Sequence, residues 1–393
     1  MKRIYCDNAS TTYVSSEVLN EMLPCFNTIY GNANSLHSFG RDAVGITDRA
    51  RDRVAKAINA EKSSEIYFTS GGTEANNLAI KGIAHANKAK GNHIITSSIE
   101  HESVLESCRQ LEEEGFEVTY LPVDSHGLVS ITDLIHHIKQ TTILVSIMAV
   151  NNETGTVQNI KTISNIAHEY NAIFHTDAVQ AIGALKMNVK DMDIDVMSIS
   201  SHKLYGPKGI GALYVKSGVN ISPVIVGGNQ ERKVRGGTIN VPAIAGFGKA
   251  IEIAVRDLVV NQQKLKGIQN YFLDNVKEKI PFVHLNAHRQ QKIFGTINLS
   301  FEQVDGESIM MLLDMEGIAV STGSACTAGN AQVSHVLKAM GLSNELAKGA
   351  VRFSFGKSIT KADVDYVIEK LTEVVAKLRG ISPISRAGRG KKE

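Results

Sequence analysis

Ser200-Ser201-His202-Lys203 closes a short apolar strand over 196–200, and another strand ends twenty-six residues before that lysine, in His175-Thr176-Asp177-Ala178-Val179-Gln180. Working outward from these two ends, strand-like runs fall at 66–69, 93–98, 118–123, 143–150, 172–175 and 211–215. Helical periodicity fills 74–88, with Leu78, Ile80, Ile83 and Ala84 inward, and 102–114. Near-continuous apolar strands alternating with helices predict an α/β fold, a mostly parallel sheet covered on both faces. In such sheets ligands bind at the carboxyl ends of the strands, which is where Asp177 and Lys203 stand. Past a long helix at 243–280 the pattern changes to strands at 296–301, 318–321 and 351–355 among shorter helices. The expected division is a large domain over 13–255, and a smaller α+β domain built from 1–12 and 256–385. A basic, disordered tail is expected over 386–393.

The chain has 393 residues, long enough to call for two cores. Its 43 % hydrophobic and 21 % charged content is that of an ordinary soluble protein, and a formal charge of +2 gives no broad attraction to nucleic acid. The charge is local: Arg386, Arg389, Lys391 and Lys392 against Glu393 leave +3 on the last eight residues, and the rest of the chain is close to neutral. Cys6, Cys25, Cys108 and Cys326 lie far apart with no Cys-x-x-Cys pair, so neither a disulfide framework nor a zinc cage is expected. No metal site is expected elsewhere. The start of the chain has no signal-peptide pattern, and the most apolar run, 143–150, is too short to cross a membrane. A cytoplasmic location follows as the expectation.

An Asp and a Lys delivered side by side at strand ends suit pyridoxal 5′-phosphate (PLP). The amine forms a Schiff base with the aldehyde, and the carboxylate keeps the pyridine nitrogen protonated so that the ring draws electrons from a substrate carbanion. Other strand ends add to this. Ser70-Gly71-Gly72-Thr73-Glu74 opens a helix, where free N–H groups favour an anion such as the cofactor phosphate, although the same residues also make a plain capped turn. His101 follows a strand and is either structural or placed to lie on the ring and pass protons. Asn152 either caps the next element or meets a ligand. Gln180, Ser200 and His202 flank the Asp and the Lys. Gly227-Gly228-Asn229-Gln230-Glu231 and Arg235-Gly236-Gly237-Thr238 form a glycine-rich basic loop that is either a surface turn or a reach across a subunit boundary. Cys326, in Gly323-Ser324-Ala325-Cys326-Thr327, lies on a polar loop where a thiol becomes a reactive thiolate. Arg352 can clamp a carboxylate or pair within the smaller domain.

Asp-Ala-Val-Gln, Ser-His-Lys and Gly-Ser-Ala-Cys-Thr, in that order, resemble the group I cysteine desulfurases (the NifS/IscS type) of the class V aminotransferase superfamily. The resemblance runs from Tyr5-Cys6-Asp7-Asn8-Ala9-Ser10-Thr11-Thr12 to Val351-Arg352-Phe353-Ser354. It implies a fold type I PLP transferase and a homodimer, with Thr238 reaching the neighbouring subunit's phosphate. It also implies a cofactor site of Gly72, Thr73, His101, Asn152, Asp177, Gln180, Ser200, His202 and Lys203. By the same carry-over Asn152, Arg352 and Asn32 bind the substrate. Two segments depart from the family pattern, Gly31-Asn32-Ala33-Asn34-Ser35 and Ala331-Gln332-Val333-Ser334-His335, and the second bears on which acceptor docks.

The implied reaction converts L-cysteine to L-alanine and leaves a persulfide on Cys326. That sulfur then passes to an acceptor protein, either an iron–sulfur scaffold or a tRNA-thiolating enzyme. Lys203 is the base at Cα, Cys326 the nucleophile, and His101 either protonates the leaving group or deprotonates the substrate thiol. A PLP aminotransferase, a selenocysteine lyase and a non-catalytic sulfur-trafficking scaffold are the competing readings.

Overall fold

The computed structural model describes residues 2–322 and 333–381. After an N-terminal strand β1 (Ile4–Tyr5) come β2 (Ile66–Thr69), β3 (His93–Ser97), β4 (Glu117–Leu121), β5 (Thr142–Ser146), β6 (Ile173–Asp177), β7 (Val196–Ser200) and β8 (Gly211–Val215). The last seven form one sheet in the order β2-β8-β7-β6-β5-β3-β4. Pairing is parallel from β4 through β7, whereas β8 runs antiparallel to both β7 and β2. Strands β3, β5, β7 and β8 are buried along their whole length. That is why they read as unbroken apolar runs rather than as alternating ones.

The expected helix at 74–88 is Gly72–Asn87, and the one at 102–114 is Glu102–Glu113. The expected long helix over 243–280 is two, Val241–Arg256 and Leu258–Lys279, meeting at Asp257 (φ −94°, ψ 4°). The physical reason is that they serve different cores. Phe247 and Ile251 of the first pack with Phe174 and Met197 of the central sheet, whereas Phe272 and Val276 of the second pack with Phe301 and Phe353. The expected strand over 143–150 ends its ladder at Ser146. Its backbone nonetheless keeps bonding to β6, through Ile147 N–H to the His175 carbonyl and Ala149 N–H to that of Asp177.

The remaining strands are β9 (Val283–Leu285), β10 (Thr296–Phe301), β11 (Ile318–Ala319) and β12 (Ala350–Ser354). β12, β10 and β9 form an antiparallel sheet, and β1 pairs in parallel with β11. Ile4 and Cys6 therefore lie in the second core, where the rings of Phe353 and Phe355 stand 5.0 and 5.2 Å from that of Phe272. The N-terminal segment thus crosses the molecule, and its next residues, Asp7 to Thr12, border the strand ends of the central sheet.

Candidate active site

Asp177 is the last residue of β6 and Ser200 the last of β7, and the latter runs straight into a single turn, Ser201–Lys203. Both ends open on a cleft of about 390 Å³, within the size range of small-molecule sites. Gly72, Thr73, His101, Asn152, Asp177, Gln180, Ser200, His202, Lys203 and Arg352 all line it. These residues come from six separate parts of the chain. Asn32 and Thr238 do not line this cleft; both are exposed. Cys326 and the tail at 386–393 lie outside the described residues.

The turn from β2 into the Gly72–Asn87 helix forms one wall. Gly71 has φ 156°, a backbone state that glycine alone adopts without strain. It packs on β8 so closely that a Cβ on Gly211 would stand 2.8 Å from the Gly71 carbonyl carbon. A Cβ on Gly72 would press on Val179 Cγ2 at 2.9 Å. Three small residues thus bring the start of a sixteen-residue helix, with its free N–H groups, to the cleft. Ser200 Oγ is buried there with no hydrogen-bond partner among the described residues, a donor left over by the fold.

Lys203 Nζ donates to the carbonyls of Ala9 (2.5 Å) and Ser10 (2.7 Å), both from the N-terminal segment. Burial, and then the nearby Arg352 charge, bring its amine down to about 8, although Asp7 and Asp177 oppose the fall. Burial, with the Lys203 and Lys208 charges, likewise brings His202 down to about 4, so its ring is neutral at neutral pH. Gln180 Nε2 donates to the Ala9 carbonyl at 2.9 Å.

Asp177 is almost fully buried. Its Oδ1 accepts from the Val179 N–H at 2.9 Å and its Oδ2 from Asn76 Nδ2 at 2.7 Å. His101 caps the helix Glu102–Glu113, its Nδ1 accepting from the Ser103 N–H. On the far side Arg352, in β12, donates to the Asn152 carbonyl (3.0 Å), Asp7 Oδ1 (2.9 Å) and Ser10 Oγ (2.7 Å). This arginine thus forms an ion pair with Asp7 and also lines the cleft. Its Nε is buried without a partner among the described residues.

Asn76, Asp7 and Ser10 also serve this site and were not singled out from sequence. A signal for Asn76 was present: it is a polar residue on the apolar face that Ala75, Leu78 and Ala79 define. Nothing local marks Asp7 and Ser10, because their role depends on β1 pairing with β11.

Parallel strands with helices on both faces, and a lysine and an aspartate meeting at their carboxyl ends, define the class. The chain belongs to the class-V aminotransferase family, whose pattern matches residues 4–367. Within it the chain is 49% identical to Cysteine desulfurase IscS of Dictyoglomus turgidum over 384 residues, 98% of this chain and 97% of the relative. The enzyme of the same name from Methanosarcina thermophila is also 49% identical, covering 98% of this chain and 95% of the relative. Among solved structures a NifS-like protein superposes with a TM-score of 0.90 at 38% identity, covering 96% of this chain and all of that one. SspA in complex with cysteine superposes with a TM-score of 0.80 at 39% identity, over 90% of this chain and 98% of that one.

Proposed function

We propose that the cleft takes sulfur from free L-cysteine and releases L-alanine, using the cofactor of its family; the enzyme is a PLP-dependent cysteine desulfurase. One observation carries the reading: Lys203, Asp177, His101 and Arg352, from four distant parts of the chain, converge on a single cleft. The residues fit PLP. The helix start at Gly72 and Thr73, the unpartnered Ser200 hydroxyl and the neutral His202 suit its phosphate. Asp177, Gln180, His101 and the Asn152 side chain suit its ring. When bound, the cofactor supplies an aldehyde for the Lys203 amine and an electron-withdrawing ring.

The protein's own groups do the rest. Asp177, held by two hydrogen bonds, is the carboxylate that would partner the ring nitrogen. Lys203, depressed to about 8, carries enough neutral amine to take the proton from the substrate Cα. Arg352 and Asn152, which both line the cleft, hold the substrate carboxylate. The Cys326 thiolate bonds to the substrate sulfur as the carbon–sulfur bond breaks and its electron pair stays with carbon. Protonation of that carbon, and return of a proton to Cα, gives L-alanine, and a persulfide remains on Cys326. The other three cysteines are poor candidates for this role: Cys6, Cys25 and Cys108 are buried. Burial pushes the thiols of Cys6 and Cys108 up to about 12 and raises that of Cys25.

The persulfide passes to an acceptor protein, an iron–sulfur scaffold or a tRNA-thiolating enzyme. A homodimer in which Thr238 reaches the partner's phosphate accords with the exposed apolar side chains Leu19, Leu23, Phe26, Tyr30, Leu36 and Phe39. We place the domain division at 13–255 against 1–12 with 256–385, in line with the two cores. No helix among the described residues is long and apolar enough to cross a membrane, and a cytoplasmic location is proposed. Lys203→Ala tests the reading: visible cofactor absorbance and alanine release should both disappear. Alanine release at the wild-type rate from that variant would refute it.

A further inference from the structure

A line of hydrogen bonds runs from Asp177 to His101 through two residues with no assigned role. Asn76, buried in the Gly72–Asn87 helix, places Nδ2 2.7 Å from Asp177 Oδ2 and 2.9 Å from Ser103 Oγ. Ser103 Oγ in turn lies 2.8 Å from His101 Nδ1, and the Ser103 backbone N–H donates to the same nitrogen at 3.1 Å.

The directions in this line are forced. A carboxylate only accepts, so Asn76 must turn its NH₂ toward Asp177. That group has two hydrogens, and the second goes to Ser103 Oγ. Having accepted there, Ser103 keeps its own hydrogen for His101 Nδ1. With two donors aimed at it, Nδ1 holds a lone pair, and the proton of the neutral ring sits on Nε2. The positive end of the helix that His101 caps favours the same choice. Nε2 has no partner among the described residues, and the ring lines the cleft.

The arrangement has a cost that stability alone does not explain. Asn76 Oδ1 is left buried with no partner among the described residues, a state that most buried amides avoid. A residue kept for packing would not leave that acceptor stranded.

We infer that Asn76 and Ser103 are positioning residues that fix His101 as its Nε2–H tautomer and lock that choice to the orientation of Asp177. The neutral ring then meets substrate as a hydrogen-bond donor. It can stabilise or protonate a group carrying negative charge, but it offers no lone pair at Nε2 to take the proton of the cysteine thiol. Of the two roles open to His101, the structure selects the donor. The inference rests on the proposed placement of His101 beside the cofactor, but its test reads the tautomer directly and does not depend on turnover.

The measurement is a long-range ¹⁵N–¹H correlation on the holoenzyme labelled with ¹⁵N-histidine, with His101 assigned by its absence from His101→Gln. The expected pattern is an unprotonated Nδ1 and a protonated Nε2. Ser103→Ala should shift those resonances and lower kcat about tenfold with little change in KM, and Ser103→Thr, which keeps the hydroxyl, should restore both to within about twofold. A wild-type His101 protonated on Nδ1 overturns the inference without any variant. So does Ser103→Ala if its resonances and kcat match the wild type. Should Ser103→Ala fail to fold, the wild-type spectrum and Ser103→Thr still decide.

Discussion

Lys203 carries the most quantitative prediction. Burial comes first and the Arg352 charge second in bringing its amine from the ordinary 10.5 down to about 8. At pH 7.5 roughly a quarter of such an amine is neutral, against about one part in a thousand for an ordinary lysine. The reactive form is thus enriched on the order of two hundredfold, and this should show when the cofactor-free protein is mixed with excess PLP in a stopped-flow spectrometer. The rate constant for growth of visible absorbance should climb with pH and level off above about pH 8 to 8.5. Arg352→Gln removes the second contribution, and its inflection should move upward. A rate that keeps rising tenfold per pH unit to about pH 10 would refute the reasoning, because the buried amine would then titrate like a solvated one.

Two further predictions concern stability. Burial pushes the Glu100 carboxyl up to about 8, outweighing the hydrogen bonds it accepts from Ser97 Oγ and the Met148 N–H. Between about pH 4.5 and about 8 the folded state holds a proton that the unfolded state has lost, so stability falls as pH rises through that window. Glu100→Gln removes this slope, and its unfolding free energy should gain on the wild type by on the order of 4 kcal/mol from about pH 5 to about pH 8.5. The same difference at both pH values, measured by denaturant unfolding, would contradict it. Glu231 is nearly buried and pairs with Arg51 through both oxygens, at 2.7 and 2.8 Å, while also accepting from the Phe68 N–H. Glu231 and the two residues after it have φ of 40°, 55° and 69°, so this pair holds a strained turn in the loop that carries Thr238. Glu231→Gln leaves a buried guanidinium uncompensated and should cost about 3–5 kcal/mol. Glu373→Gln, which breaks a surface pair with Lys370, should leave stability almost unchanged. Equal losses for the two variants would count against this account of the loop.

Much of the fold was legible because its strands are buried on both faces. Sheet strands such as 66–69, 196–200 and 211–215 read as apolar blocks of strand length, and a parallel sheet puts its site at their carboxyl ends. Asp177 and Lys203 could therefore be paired before any coordinates. Boundaries depending on packing were less visible: Asp257 carries no glycine or proline to mark the break between the two helices on either side. The contributions of Asp7 and Ser10 were hidden for another reason. They reach Arg352 only because a two-residue strand at the chain start joins one more than three hundred residues away, and no local pattern encodes such a pairing. Asn76 shows a third kind of miss, a polar residue on an apolar helix face whose meaning depends on what stands opposite.

The central claim is that sulfur leaves cysteine in this cleft and settles on one particular thiol. Treating the holoenzyme with one equivalent of L-cysteine in the absence of reductant, then locating added sulfur by peptide mass spectrometry, tests it most directly. The account predicts one extra sulfur atom on the peptide bearing Cys326, and none on that peptide in Cys326→Ala, which should still bind its cofactor. Added sulfur on Cys6, Cys25 or Cys108 instead, or undiminished sulfur release from Cys326→Ala, would contradict it.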